Sequence, residues 1–287
     1  MMNKLQSQPE EYSRLVVEDD RYIPQNGDIY DSSNPHAHVN GVNVTHDMPD
    51  FDANYPYIDH SWRQKFWTFV YYARARYLIR WLHYLRYGFR GYGYENVKNN
   101  KELLKNGAMT ICNHVYRWDV AAVLDPLGWR RIWFPIWRDQ LAGPDARHMR
   151  AMGGIPIPDN VSALRKFYAA LDEVHAQKGW LHFFAEESRW DFYTPIRPFK
   201  KGAFVFAQRY DLPIIPMAVS YRERKGFLKL FGKEACVTLH VGEPIVANKE
   251  LKDKNAIIDD LRRRTHESMV KLAGIKENPW TYNQTEP

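Results

Sequence analysis

His114 and Asp119, within the run Asn113-His114-Val115-Tyr116-Arg117-Trp118-Asp119, are the residues of this chain whose types and spacing most directly offer chemistry. A hydroxyl is a poor nucleophile until a base takes its proton, and imidazole titrates in a range that suits the task. A carboxylate on the other ring nitrogen fixes the tautomer and stabilises the imidazolium that forms. The run follows an apolar stretch and leads into a helical pattern, so Asp119 in the first helical turn can fold back towards His114. The same two residues also fit blander roles, a helix-capping carboxylate and a satisfied loop histidine.

A second cluster, Phe183-Phe184-Ala185-Glu186-Glu187-Ser188-Arg189-Trp190, again ends an apolar stretch. Arg189 can grip a phosphate in fork geometry, and Glu186 can hold that Arg or bind a hydroxyl, although a surface ion pair uses the same residue types. Downstream, Arg197-Pro198-Phe199-Lys200-Lys201-Gly202 sets two lysines at the start of a predicted helix. Lys200 and Lys201 oppose the helix dipole there, which an anion bound by cations and free N–H groups would explain. Ser188 supports a competing reading as the nucleophile of an acyl hydrolase, but no G-x-S-x-G elbow surrounds it.

These clusters need a scaffold. Ala108–Cys112, Arg131–Phe134, Ile155–Ile157, Trp180–Phe184, Ile214–Val219 and Ala235–Val241 read as short strands, with helices expected at 118–127, 144–151, 160–177, 200–210 and about 250–272. The alternation predicts an α/β fold with a largely parallel central sheet flanked by helices. Sites in such sheets gather at the carboxyl ends of strands.

Ahead of the sheet, residues 61–90 hold seven Lys and Arg, no acidic residue and eleven aromatics. At helical spacing Trp67, Val70, Tyr71, Leu78, Trp81, Leu82 and Leu85 share one face, with Lys65, Arg76, Arg80 and Arg86 on another. This is the pattern of an amphipathic helix lying in a bilayer interface, where cations meet anionic headgroups. Residues 1–58, rich in Asn, Asp, Pro, Ser and Gly, read as a disordered arm. The expected organisation is therefore an acidic arm at 1–58, a basic aromatic interfacial helix segment at 59–92, and an α/β domain at 93–287.

Charge follows the same division. Residues 1–60 carry 3 Lys and Arg against 11 Asp and Glu, and the remainder 37 against 23, so an acidic arm of −8 precedes a body of +14. A basic body implies an anionic partner. Basicity with interleaved Tyr and Trp also describes nucleic-acid binders, but nucleic acid is not an expected partner here. Two cysteines, Cys112 and Cys236, form no CxxC or zinc-like cluster, so no metal site is expected. No stretch is long and apolar enough to read as a signal peptide or a membrane span, so membrane contact is expected to be peripheral. P-loop, HExxH and dinucleotide fingerprints are absent.

Together the blocks resemble the glycerol-phosphate acyltransferase superfamily, notably its 1-acylglycerol-3-phosphate acyltransferases, over roughly residues 60–245. NHVYRWD is similar to the N-H-x4-D block, Gly153-Gly154-Ile155-Pro156-Ile157 to the second block, FAEESR to F-P-E-G-T-R, and Leu212-Pro213-Ile214-Ile215-Pro216-Met217-Ala218-Val219 to the fourth, with FKKGAF between. The resemblance implies an enzyme of phospholipid synthesis. In it His114 deprotonates a lyso-lipid hydroxyl, lysophosphatidate or a related lyso-phospholipid, for attack on an acyl thioester. Acyl-CoA or acyl carrier protein is the co-substrate, no further cofactor is needed, and the place of work is the cytoplasmic face of a membrane. It places Asn113, Gly153, Gly154, Glu186, Ser188, Arg189, Lys200 and Lys201 on the substrate side. Two departures stand out: Asp159 or Asn160 occupies the place of the second block's usual Arg, and Ala185 and Glu187 replace the usual Pro and Gly. A non-catalytic membrane adaptor that keeps the fold is the remaining alternative.

Overall fold

The computed structural model describes residues 30–31, 33–39, 50–52 and 54–283. Seven strands form one sheet: β1 (Arg90–Tyr92), β2 (Ala108–Cys112), β3 (Ile132–Ile136), β4 (Gly154–Pro156), β5 (Trp180–Phe183), β6 (Ile214–Arg222) and β7 (Cys236–Val241), in the order β1-β7-β6-β2-β5-β3-β4. All neighbours run parallel except β6 and β7, which pair antiparallel with Met217 opposite Val241 and Arg222 opposite Cys236. The fold is the expected α/β type, with one antiparallel pair near an edge.

Every residue of β2 and β6 is buried, as strands covered on both faces must be. Alternate side chains enter two cores. Cys112, Ile215, Met217 and Val219 meet α1 (Trp62–Arg74) and α2 (Arg80–Tyr87) through Tyr72 and Tyr87, and α5 (Asp119–Leu124) through Ala122 and Val123. Met109, Ile111 and Ala218 meet α7 (Val161–Ala176), α8 (Gly202–Arg209) and α9 (Lys254–Leu272) through Phe167, Phe204 and Leu261. Short α3 (Tyr94–Asn99), α4 (Lys101–Leu104) and α6 (Ala146–Met152) complete the layers.

Two expectations change. Residues 61–90 do not form one helix: a π turn at Ala75–Ile79 separates α1 from α2, and α2 stops at Gly88, whose φ of +54° and the 2.5 Å approach of Cys236 Sγ to any added Cβ both require glycine. Arg90–Tyr92, expected to close the interfacial segment, is instead the edge strand β1. The face turned to the body carries Tyr72, His83 and Tyr87, while Trp67, Leu78 and Trp81 of the expected apolar stripe are exposed and Val70, Tyr71, Leu82 and Leu85 half-buried. Tyr72 accepts from Ile132 N at 3.0 Å and donates to Met152 O at 3.2 Å, fixing α1 against the sheet.

Most of the acidic arm, residues 1–29, 32, 40–49 and 53, lies outside the described residues. Its described parts are not loose. Phe51 and Tyr57 are buried in the core, and His36 is buried beside the third sequence block. No helix among the described residues is long and apolar enough to cross a membrane.

Candidate active site

The sheet order brings the carboxyl ends of β2 and β5 side by side, and with them both polar clusters. Asn113 leaves β2 as a bracket to β6: its Oδ1 accepts from Val219 N at 2.7 Å and its Nδ2 donates to Val219 O at 3.1 Å. It is fully buried, so it anchors the loop that presents His114. The chain then turns into α5, whose first residue is Asp119.

Asp119 Oδ2 lies 2.5 Å from His114 Nδ1, with the carboxylate 2 % and the imidazole 23 % exposed. A carboxylate so held accepts from Nδ1–H, which leaves Nε2 as the basic nitrogen. The ring lies flat on Phe184, with centroids 4.0 Å apart and planes 14° from parallel. His182 meets the edge of that phenyl ring at 4.4 Å and is pinned by Thr110 Oγ1 at 2.9 Å. Burial drives the His182 imidazole down to about 3, so it stays neutral.

The third block wraps the same loop. Trp190 N donates to His114 O at 3.0 Å and Phe192 N to Val115 O at 2.7 Å. Glu186, wholly buried, accepts from His114 N at 3.0 Å, from Arg197 N at 2.8 Å and from Arg197 Nη2 at 3.0 Å. Its partner is therefore Arg197, not Arg189. Arg197 is itself fully buried, stacks on Trp190 at 4.4 Å and donates to Ser188 Oγ at 2.9 Å and to Ser188 O. Sequence reasoning missed this residue. The available signal was an Arg set between apolar Ile196 and Pro198-Phe199, with Trp190 to stack on.

Arg189 instead meets Asp191, Nε to Oδ1 at 2.8 Å. Burial holds the Asp191 carboxyl above its usual range, against the pull of that guanidinium. Lys200 stands 3.8 Å from Glu187, and Lys201, at the start of α8, 3.9 Å from Asp259. Lys200 N donates to Ala185 O at 2.8 Å, so these lysines adjoin the third block. Ser188 is 2 % exposed and faces a guanidinium, which donates only and cannot take a proton, so the contact that would activate a hydrolase nucleophile is replaced by one that would not.

Gly153 and Gly154 lie apart from this cluster. Gly154 opens β4, which β5 and β3 separate from β2. Gly153 ends α6 at φ +114°, and a Cβ there would sit 2.1 Å from Ile132 O; one on Gly154 would sit 2.9 Å from Met149 O. Backbone packing alone accounts for both. Of the residues in the place of the family's Arg, Asp159 pairs with Arg138, and Asn160 caps α7 by accepting from Ala163 N at 2.7 Å.

Residues 89–220, from the start of β1 into β6, match the family model described as Acyltransferase. This stretch is similar to the acyltransferase family. The matched stretch contains the whole His114–Asp119 loop and the Glu186–Arg197 turn. Among solved structures, the 1-acyl-sn-glycerophosphate (LPA) acyltransferase PlsC from Thermotoga maritima is similar at 18 % identity, over 75 % of this chain and 85 % of that one, with a TM-score of 0.48. No curated protein matches the chain.

Proposed function

We propose that this chain is an acyltransferase, moving a fatty acyl group from a thioester of coenzyme A or acyl carrier protein to the free hydroxyl of a lyso-phospholipid, lysophosphatidate or a relative, at the cytoplasmic face of a membrane. The observation that carries the reading is the buried Asp119 carboxylate on Nδ1 of a partly exposed imidazole. Nε2 of His114 takes the acceptor's proton as its oxygen attacks the thioester carbonyl. The tetrahedral intermediate collapses by breaking the C–S bond, and the imidazolium returns its proton to the departing thiolate. Asp119 stabilises the imidazolium in between. Besides buried Arg197, the third block has Arg189, Lys200 and Lys201 beside it, and their present carboxylate partners can give way to a phosphate.

The reading of a bilayer contact rests on the outer face of the helical segment. Trp62, Phe66, Phe69, Tyr77, Leu78 and Trp81 are all at least half exposed, beside Arg63, Lys65 and Arg80. Contiguous exposed apolar residues of this kind mark sites of protein or membrane contact.

The test is incubation with acyl-CoA and a panel of lyso-lipids, with products read by mass spectrometry. Wild type should form a diacyl product, and His114→Ala should form it about 10²–10⁴-fold more slowly. Equal turnover by a folded His114→Ala protein would overturn the assignment.

A further inference from the structure

Nothing in the chemistry above uses the segment that precedes the helices, yet residues 30–31 and 33–39 are laid across the site. Tyr30 stacks on Trp190 with centroids 4.6 Å apart and planes 9° from parallel, and its hydroxyl donates to Asp191 O at 2.8 Å. Pro35 O accepts from Arg197 Nη1 at 2.7 Å, His36 Nδ1 lies 3.1 Å from Glu186 O, and Ala37 O accepts from Trp190 Nε1 at 2.9 Å. His38 then reaches Trp137, just beyond β3, at 5.0 Å. The segment therefore crosses from the third block to the end of β3, over the carboxyl edge of the sheet.

We propose that Arg197 is a positioning residue for the His114 base, and that residues 30–31 and 33–39 are the strap that holds it in register. The connection is continuous: Pro35 O to Arg197, Arg197 to Glu186, and Glu186 to the backbone N–H of His114. Arg197 has no part in the proton transfer. It neutralises the carboxylate that holds the His114 amide, and a guanidinium buried this deeply depends on fixed acceptors, which its Nη1 and Nη2 find while its Nε has none among the described residues. The strap supplies one of these acceptors from outside the sheet, together with the ring that covers Trp190. A shift of the strap would pass through this chain to the loop carrying the base, where misplacement by about 1 Å is costly. The arm thus becomes part of the catalytic apparatus instead of an appendage.

The inference rests on the acyl-transfer reading, and its test keeps the two separable. Full-length Tyr30→Ala/His36→Ala, which loosens the strap without touching Arg197, is compared with wild type, Arg197→Lys, Arg197→Ala and His114→Ala. The measurements are kcat, KM for acyl-CoA and lyso-lipid, and hydrogen exchange at the His114 amide. For the strap variant we expect kcat to fall by about 5-fold or more with both KM values within about 2-fold, because geometry and not binding is lost. Exchange at the His114 amide should quicken in parallel. Arg197→Lys should fall further, since one ammonium cannot replace a fork spanning Pro35, Ser188 and Glu186. Methylguanidinium, but not methylammonium, should restore part of the Arg197→Ala rate. A strap variant with wild-type kcat and wild-type exchange at His114 would overturn the proposal, whether or not the Arg197 variants fold. Absence of transfer in wild type, or full activity in His114→Ala, would instead overturn the functional reading.

Discussion

Asp119→Asn isolates the central claim, because it keeps the volume of the side chain and removes its charge. In the wild type the carboxylate, 2 % exposed, sits 2.5 Å from Nδ1, a short contact to a group that becomes cationic during the reaction. A hydrogen bond to a charged group contributes about 1.5–3 kcal/mol. At about 1.4 kcal/mol per factor of ten, losing that stabilisation slows transfer about 10–150-fold, provided the amide presents its oxygen to Nδ1–H. Should the amide turn its NH2 to Nδ1, the proton is forced onto Nε2 and the base is lost. The deficit then approaches about 10⁴-fold, the scale of the same change in a Ser-His-Asp triad. Release of free coenzyme A thiol, followed with saturating acyl-CoA and lyso-lipid, gives kcat directly, and a thermal melt confirms folding. A folded Asp119→Asn enzyme with kcat within about twofold of wild type would refute the pairing as a catalytic device.

Ser188→Ala should keep acyl transfer within about 10-fold of wild type, since removing one hydrogen bond to Arg197 costs on the order of 1 kcal/mol; complete loss of thioester turnover would favour the hydrolase. Glu187 holds φ at +71°, so Glu187→Gly relieves about 1–2 kcal/mol of left-handed strain against about 0.5–1 kcal/mol of added chain entropy. The melting point should rise by about 1–3 °C, and a fall would show that Glu187 makes up the strain elsewhere. Burial lowers His83 and His182 to about 3 and His240 to about 4, below the value near 6.5 of an unfolded chain. The unfolded state therefore binds more protons below pH 6.5, so stability is full above that pH and falls as it is lowered. Each of the three contributes at most about 1.4 kcal/mol per pH unit. Urea midpoints at pH 7.5 and 5.5 should differ accordingly, with His240→Gln removing part of the drop, to which His36, His148 and His266, also lowered by burial, contribute; a flat profile would refute the assignment of neutral buried imidazoles.

The parts of the site that were legible in the sequence are local ones. His114 and Asp119 are five residues apart, and the apolar run before them marks a buried strand, so strand, loop and pair could be placed from spacing alone. Arg197 was not legible because its partner is eleven residues away and its neighbours Lys200 and Lys201 suggest a solvated cationic patch; burial of a guanidinium depends on tertiary packing. Edge strand β1 escaped because three residues between Gly88 and Gly93, both at positive φ, are too few to show a period of two. The helical segment was legible, but the break within it was not. The π turn at Ala75–Ile79 widens one turn, so residues before and after it leave a common stripe drawn at 3.6 per turn.

The altered third block raises a sharper question, namely why a turn normally built on glycine tolerates Glu187. The answer lies one residue earlier. Glu186 accepts three donors, His114 N, Arg197 N and Arg197 Nη2, and bonds of this charged kind contribute about 1.5–3 kcal/mol each. Their sum exceeds the strain at Glu187, so the turn is imposed from its buried side. Glu186→Gln should then be far more damaging than any change at 187. Its amide NH2 must face one of these donors, which leaves the Arg197 guanidinium without its counter-charge in a site with no exposure. Breaking a buried pair in this way costs about 3–5 kcal/mol. A urea denaturation series should show that loss in Glu186→Gln beside a gain in Glu187→Gly. Equal stability of wild type and Glu186→Gln would mean that the outer residues, and not the buried ion pair, hold the loop bearing His114 in place.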